Sequence, residues 1–341
     1  MSESQKVAPS TEAAIMALLR SGVSDRQAAR DHGIHHSTVR QIRLRNKTSE
    51  PFPSRVKFED KKQGGFYWRD ALPAIKGMQK LRSDASYSQH YAKIKVDSSD
   101  VIGVMCFGDQ HIGAIGTDYN LFTELTDLIL DTPNLYVAVM GDVVEMAIKL
   151  RSVAEICAQV LDPEMQLDFI ESWVKEISHK VLWATWGNHE SDRNEQAGGT
   201  SPVKRILAEK VPYFNGIGHV DLLVGTQTYK IATSHKFSGV TQADAGAGCK
   251  RYLRLEFPEG DIAMQGDCHR SSISAYHDGG NNRIAMTGGT LNIKSGFAQR
   301  YFSLKTSTAF PVVALWPDKK QAIPFFNVQQ FMDTLGLTEN V

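Results

Sequence analysis

Five times between residues 101 and 269, a short run of β-branched and bulky apolar residues ends abruptly in carboxylate, imidazole or amide side chains. Val101–Phe107 runs into Gly108-Asp109-Gln110-His111, and Leu135–Met140 into Gly141-Asp142. Val181–Trp186 runs into Gly187-Asn188-His189-Glu190, Tyr229–Thr233 into Ser234-His235, and Ile262–Gln265 into Gly266-Asp267-Cys268-His269. Runs of this length and composition bounded by glycine read as strands. Val220–Val224, Ile284–Thr287 and Val312–Trp316 read the same way, and Leu121–Leu130 and Met165–Ser178 carry helical spacing. Strands alternating with helices and then following one another predict an α/β fold with a layered core. In open α/β sheets the carboxyl ends of strands gather ligands, so the five loops are expected to meet at one point.

Taken singly, the patterns are weak: Gly-Asp after a strand is usually a turn, and Asp-x-His occurs by chance. Their joint order makes a chemical set. Carboxylate, imidazole and amide oxygen suit divalent ions such as Mn²⁺, Fe²⁺ and Zn²⁺, with Mg²⁺ favoured as carboxylates replace nitrogen. Four scattered cysteines, Cys106, Cys157, Cys249 and Cys268, argue against a thiolate zinc site and against a disulfide scaffold. Two ions about 3.5–4 Å apart would clamp a phosphate for in-line attack.

The sequence of motifs D-x-H, G-D, G-N-H-E, H and G-x-x-H resembles the calcineurin-like metallophosphoesterase superfamily over roughly residues 101–300. Asp109-Gln110-His111-Ile112-Gly113 is similar to its nuclease branch, and Gly-Asn-His-Glu followed by Arg193 to phage-borne members. The resemblance implies a β-sandwich core flanked by helices and two divalent ions, Mn²⁺ foremost. It implies that Asp109 and His111 bind one ion, Asp142 bridges, Asn188 and His235 bind the other, and His269 returns to the first. His189 would face the leaving group as general acid, and a metal-bridging hydroxide would attack. Where the family carries a histidine, this chain has Asp267, expected to bind the second ion; the alternative is a weak or empty second site. Glu145 stands where Asp is common and is expected either to support the ligands or to start a helix. Arg193 and Lys236, just past metal-site loops, are candidates for holding the substrate phosphate.

The front of the chain has a different character. Residues 1–95 hold 18 Lys and Arg against 9 Asp and Glu, so the remaining residues, with 20 against 29, carry the opposite balance and the chain sums to zero. Ala14, Ile15, Leu18 and Leu19 recur at helical spacing before Gly22. Ser24-Asp25-Arg26-Gln27 has the pattern of a capping box, and Gly33 closes a second short helix. A third helix from Ser37 or Thr38 would turn Val39 and Ile42 inward and Arg40, Arg43 and Arg45 outward. Residues 1–48 therefore read as a helix-turn-helix module, similar to the DNA-binding modules of resolvases and transposases, with those three arginines as DNA contacts. Residues 49–100, with Pro51, Pro53, Gly64, Gly65 and the aromatics Phe66, Tyr67 and Trp68, read as a linker. Residues 101–341 form the expected phosphoesterase domain.

At 341 residues and 42% apolar composition, the chain excludes a disordered or fibrous class. No apolar run reaches the ~20 residues of a membrane helix, and MSESQKVAPS lacks the pattern of a signal peptide. The expected setting is the cytoplasm of a bacterial or phage-infected cell, without a membrane partner, with DNA as partner and a homo-oligomer open. The expected activity is metal-dependent phosphodiester hydrolysis, most plausibly of DNA. The alternatives are a small nucleotide or phosphoprotein as substrate, or a DNA-bound regulator with a degenerate core.

Overall fold

The computed structural model describes residues 7–46, 68–85, 90–147, 156–191, 201–241, 243–293 and 306–337. The chain divides into two units, Met1–Arg82 and Ser83–Val341. No helix among the described residues is long and apolar enough to cross a membrane.

In the first unit, α1 (Pro9–Arg20), α2 (Asp25–Asp31) and α3 (His36–Arg45) close around Ile15, Met16, Leu19, Ala28, Ala29, Val39 and Ile42. Ser24 caps α2 by accepting from the Gln27 N–H at 3.3 Å. The reciprocal half of a capping box is not made, because the Gln27 amide reaches forward to Asp31 at 2.7 Å. Helix α3 starts one turn-position earlier than the sequence suggests. His35 is its cap, with Nδ1 3.4 Å from the Ser37 nitrogen and 2.8 Å from the Ser37 hydroxyl. Arg40 and Arg45 are exposed as expected. Arg43 is not simply outward: it pairs with Asp25 of α2 at 2.9 Å and so ties the two helices.

The segment read as a linker contains α4 (Trp68–Ala85) and strand β1 (Tyr91–Val96). Strand β1 was hidden by its polar alternation, YAKIKV, with only Ala92 and Val96 buried. It pairs in parallel with a strand more than a hundred residues away, a partnership no local pattern reveals. Pro51, Pro53, Gly64, Gly65, Phe66 and Tyr67 lie outside the described residues.

The second unit is a mixed α/β sandwich of two six-stranded sheets. One sheet runs β12 (Ala322–Phe325), β11 (Val312–Leu315), β2 (Ile102–Phe107), β3 (Leu135–Val139), β4 (Val181–Thr185), β5 (Tyr213–Phe214). The other runs β1, β6 (Gly218–Val224), β7 (Gln227–Ser234), β8 (Ile262–Gln265), β10 (Asn281–Thr287), β9 (Ser272–Asp278). Alternate residues of each inner strand fill the space between the sheets: Ile102, Val104 and Cys106 meet Leu222, Tyr229, Ile231, Met264 and Met286. Trp183 of β4 crosses this layer and donates its indole N–H to the Thr233 hydroxyl of β7 at 3.0 Å, which satisfies the polar end of a large buried ring.

The opposite faces of both sheets are covered by helices. Met105, Phe107, Val137 and Val139 pack on α5 (Tyr119–Asp131), α6 (Pro163–Ile177) and α9 (Val328–Leu335). Ala232, Ala263 and Ala285 pack on α8 (Ala247–Leu255) through Cys249 and Leu253. A further short helix, α7 (Pro202–Ala208), adds Val203 and Leu207 to the first of these cores. Strand β2 is therefore buried along its whole length, which is why its sequence reads as continuous apolar rather than alternating.

Strand direction places the site. β2, β3 and β4 are parallel neighbours in one sheet, and β7 and β8 are parallel neighbours in the other. The loops that follow β2, β3 and β4 share one edge of their sheet, and those that follow β7 and β8 share one edge of theirs. Beyond the strands proper, the hydrogen bonding continues. Asp109 N–H donates to Gly141 O at 2.9 Å, His111 N–H to Asp142 O at 3.0 Å, and Gly266 N–H to His235 O at 3.0 Å. Across the sheets, Leu291 N–H and the Thr290 hydroxyl both donate to Asp109 O, at 3.1 and 2.8 Å.

Candidate metal centre

The five loops converge. Among the described residues, three sets of side chains bring ligand atoms within 4.8 Å of one another: Asp109, His111 and His269; His111, Asp142 and His189; and Asp109, Asp142 and His235. Asp109, His111, Asp142 and His235 are all buried.

The backbone is bent sharply to do this. Asp109, His111, Asp142, Asp267 and His269 all have positive φ, between 50° and 66°. Left-handed backbone is costly for residues with a β-carbon and persists where surrounding contacts over-determine it. Here five chemically loaded residues share it, each just after a strand end; the turns bring the side chains of Asp109, His111, Asp142 and His269 to a common centre and turn that of Asp267 to Lys236. Two glycines permit the close approach. A β-carbon at Gly187 would stand 2.0 Å from Asp142 N and 2.1 Å from Glu190 Oε2, and one at Gly266 would stand 2.6 Å from Asp109 Oδ2.

Hydrogen bonds fix which nitrogen of each imidazole faces the centre. His235 Nδ1 lies 2.7 Å from Met140 O, a carbonyl that can only accept, so Nδ1 carries a proton and Nε2 points inward. That Nε2 is 3.0 Å from Asn188 Oδ1 and 3.3 Å from Asp142 Oδ2. His111 Nδ1 lies 2.9 Å from Glu145 Oε2, which leaves its Nε2 facing His269 Nε2 at 3.0 Å. His269 Nε2 is also 3.3 Å from Asp109 Oδ1. His189 Nδ1 lies 2.9 Å from the Glu145 carbonyl and 3.4 Å from its carboxylate.

The electrostatics follow from burial and crowding. Burial opposes charge on His235, yet the carboxylates of Asp142, Asp109 and Asp267 push it up to about 10. Burial likewise opposes charge on Asp142, but His189 and His235 hold it well below the carboxylate range. Glu145 is held low in spite of burial by hydrogen bonds from His111 and His189. His111 is pushed down by burial and by the neighbouring His189. His269 is raised, because its bond to Asp109 outweighs burial. Carboxylates and inward-facing imidazole nitrogens at this spacing, with outer nitrogens anchored on carboxylate or carbonyl, are a donor set that fits divalent ions.

Two acidic residues do more than their sequence setting suggests. Glu145 starts no helix; its carboxylate holds His111 Nδ1, and its main-chain carbonyl, with the carboxylate 3.4 Å away, holds His189 Nδ1. Glu190, read only as the end of Gly-Asn-His-Glu, is buried and accepts the backbone N–H groups of Asp142, at 3.1 Å, and of Val143. Burial and the adjacent Asp142 charge push it up to about 7. The signal available in the sequence was an acid inside a motif whose other members were already spoken for.

The remaining candidates fall as follows. Asp267 donates its backbone N–H to both Asp109 oxygens, at 3.0 and 3.2 Å, while its carboxylate is held by Lys236 Nζ at 2.8 and 3.1 Å. Its nearer oxygen is 3.9 Å from His235 Nε2, and it belongs to none of the three ligand sets. Lys236 is thus beside the centre. Arg193 lies outside the described residues. Cys268 bonds to the Arg270 carbonyl and its thiol is pushed up to about 12, chiefly by burial.

Neither a family model nor a curated protein matches the sequence. Among solved structures, the chain is similar to a Streptococcus pneumoniae protein described as a predicted phosphoesterase, at 12% identity over 67% of this chain and 99% of that one, TM-score 0.32. It is similar to zinc-complexed Vps29 of Entamoeba histolytica at 12% identity over 66% and 100%, TM-score 0.35. It is similar to a putative 5'-nucleotidase of Staphylococcus aureus at 13% identity over 67% and 53%, TM-score 0.39.

Proposed function

We propose that the chain is a metal-dependent hydrolase of phosphate esters, and that its substrate is a phosphodiester of DNA. The observation that carries the first part is the convergence of Asp109, His111, Asp142, Asn188, His235 and His269 from five strand ends, four of them on left-handed backbone. Bound divalent ions, Mn²⁺ foremost, would supply the Lewis acidity that draws charge off a phosphate ester. Asp109, His111 and His269 would hold one ion, Asn188 and His235 the other, with Asp142 between.

The chain's own residues do the rest. Glu145 orients His111 through its carboxylate and His189 through its main-chain carbonyl, so the metal ligand and the proton carrier are set by one residue. His189 keeps Nδ1 on Glu145, which leaves Nε2, 3.8 Å from Asp142 Oδ2, to hold a proton for a departing alkoxide. Glu190 pins the backbone on either side of the Asp142 turn. The buried walls exclude bulk water from the carboxylates.

The choice of DNA rests on the front unit. Helix α3 carries Arg40, Gln41 and Arg45 exposed on one short basic helix after a tight turn, the arrangement a helix-turn-helix reader presents to a groove. Contacts to phosphate supply affinity independent of sequence.

The test is direct. Purified protein with Mn²⁺ cleaves bis(p-nitrophenyl) phosphate and linear DNA, and Asp142→Asn abolishes both. Arg40→Glu with Arg45→Glu lowers DNA binding and flattens its salt dependence by roughly one log–log slope unit per lost phosphate contact, while the small diester is cleaved as before. Cleavage of phosphomonoesters alone would overturn the DNA assignment. No hydrolysis of any phosphate ester would overturn the whole reading.

A further inference from the structure

Asp267 stands at the tip of a metal-site loop, yet its two ends serve different partners. Its backbone N–H donates to Asp109, the most buried carboxylate of the centre, and this bond fixes the turn. Its side chain, at φ 66°, leaves the centre and meets an ammonium. Both carboxylate oxygens lie within 3.1 Å of Lys236 Nζ. The partner is itself positioned. Lys236 follows His235 directly, and the Ser234 hydroxyl clamps its backbone, accepting from Lys236 N–H at 3.3 Å and donating to Lys236 O at 3.1 Å. The exposures differ in the same sense: the side chains of Asp109 and Asp142 are 0% and 3% exposed, Asp267 18%, and Lys236 58%.

We propose that Asp267 is a positioning residue for Lys236 rather than a metal ligand, and that the Lys236 ammonium, so held, is a phosphate-binding group at the open rim of the centre. The inference rests on the metallophosphoesterase reading and specifies how that centre meets its substrate. Both oxygens of the Asp267 carboxylate are directed to the ammonium, and the one nearer the centre stays 3.9 Å from His235 Nε2. Without Asp267, Asp109, Asp142 and His235 already form a ligand set on that side, and Asn188 Oδ1 lies 3.0 Å from His235 Nε2. A long, half-exposed lysine anchored at its head costs less ordering entropy on meeting a phosphate than a free one. Its charge sits next to the ions without competing for their ligands, and a compact ammonium suits a phosphate oxygen.

The experiment is a calorimetric titration of the full chain, first with Mn²⁺ alone and then, on the metal-loaded protein, with inorganic phosphate. The variants are Asp267→Asn, Lys236→Met and the pair together. The expected result is that Asp267→Asn and Lys236→Met bind as many Mn²⁺ ions as the wild type, with affinity within about threefold. Each weakens phosphate by about tenfold, as removal of a charge-assisted hydrogen bond does, and the double variant is no worse than either single one. Circular dichroism melts confirm that each variant is folded. Loss of one bound ion in Asp267→Asn, with Lys236→Met unaffected in phosphate binding, makes Asp267 a ligand and overturns the inference alone. Additive losses of phosphate affinity overturn the coupling. A wild-type chain that takes up no metal overturns this inference together with the function it rests on, and that result is distinct from the other two.

Discussion

The Nε2 atoms of His111 and His269 face each other at 3.0 Å, although the two residues are 158 positions apart in sequence. Two imidazole nitrogens at that distance can share one proton and no more, since two N–H groups would repel. His111 keeps its outer nitrogen on Glu145 and is pushed down by burial, so its inner nitrogen is the acceptor; His269, raised by Asp109, is the donor. An ion that takes both Nε2 atoms must therefore displace the proton that they share.

That state predicts how ion binding depends on pH. His235 is pushed up to about 10, so it is an imidazolium at neutral pH, and an ion that takes its Nε2 must release the proton. Mn²⁺ affinity should therefore rise with pH between 6 and 8, by about tenfold per unit for each proton displaced. Calorimetry in buffers of different ionisation enthalpy counts the protons. The sign for stability is opposite. A raised histidine pKa stabilises the metal-free fold fully below about 6.5, the unfolded value, and the contribution is lost as pH climbs through about 10. Flat Mn²⁺ affinity from pH 6 to 8 would rule out His235 as a ligand that starts protonated.

Glu145 holds both His111 and His189, the proposed metal ligand and the proposed proton carrier. Glu145→Ala removes the acceptor for His111 Nδ1 and leaves a buried polar gap. Metal affinity should fall by about 10–100-fold, the usual effect of losing a partner behind a histidine ligand. Glu145→Gln retains a carbonyl that can accept from Nδ1 and should lose less. The Mn²⁺-induced rise in Tm measures both, because stabilisation follows ligand concentration over Kd. Equal losses in the two variants would show that charge, not orientation, is what Glu145 provides.

Gly187 is constrained by space, not by conformation. Its α-hydrogen faces the Asp142 amide and the Glu190 carboxylate, so a methyl group must displace the pair that holds the Asp142 turn. Gly187→Ala should cost about 3 kcal/mol of unfolding free energy, and metal binding should fall with it. Gly216→Ala, where nothing lies within 4 Å, should stay within about 0.5 kcal/mol of the wild type. Urea denaturation of the two variants side by side separates crowding at the centre from a general intolerance of alanine.

The elements that could be read from the sequence are those whose local pattern and tertiary fate agree. β2, β3, β4 and β8 are buried on both faces and end in glycine, so their apolar runs announce both strand and loop. α5 and α6 show their buried stripes. What stayed hidden lacked a local signature. β1 alternates with lysines and gains its place only by pairing with β6. β9 is a polar edge strand that pairs with β10, and β5 is two residues long. At the centre, the short motifs that converge there were legible because their spacing is dictated by the turn. The partners of those motifs were not. That Lys236 would meet Asp267, and that Glu190 would serve Asp142, follows from strands far apart in the chain lying side by side, β7 beside β8 and β4 beside β3, a relationship with no trace in sequence spacing.

The cysteines offer a readout of the same packing. Cys106 lies between the sheets and Cys249 on the buried face of helix α8, and burial pushes both thiols up, so they stay protonated and unreactive at neutral pH. Cys268, pushed up to about 12 by burial, is nearly as inert. Cys157 alone is exposed. Treatment of the native chain with a disulfide reagent at pH 8 should label Cys157 rapidly, the partly buried Cys268 slowly, and Cys106 and Cys249 only with global unfolding. Cys268 adjoins both Asp267 and His269, so its slow phase is the sensitive one: it should slow further when Mn²⁺ orders the loop that carries it. Rapid labelling of Cys106 would mean that the two sheets separate in solution, and with them the loops that the centre depends on.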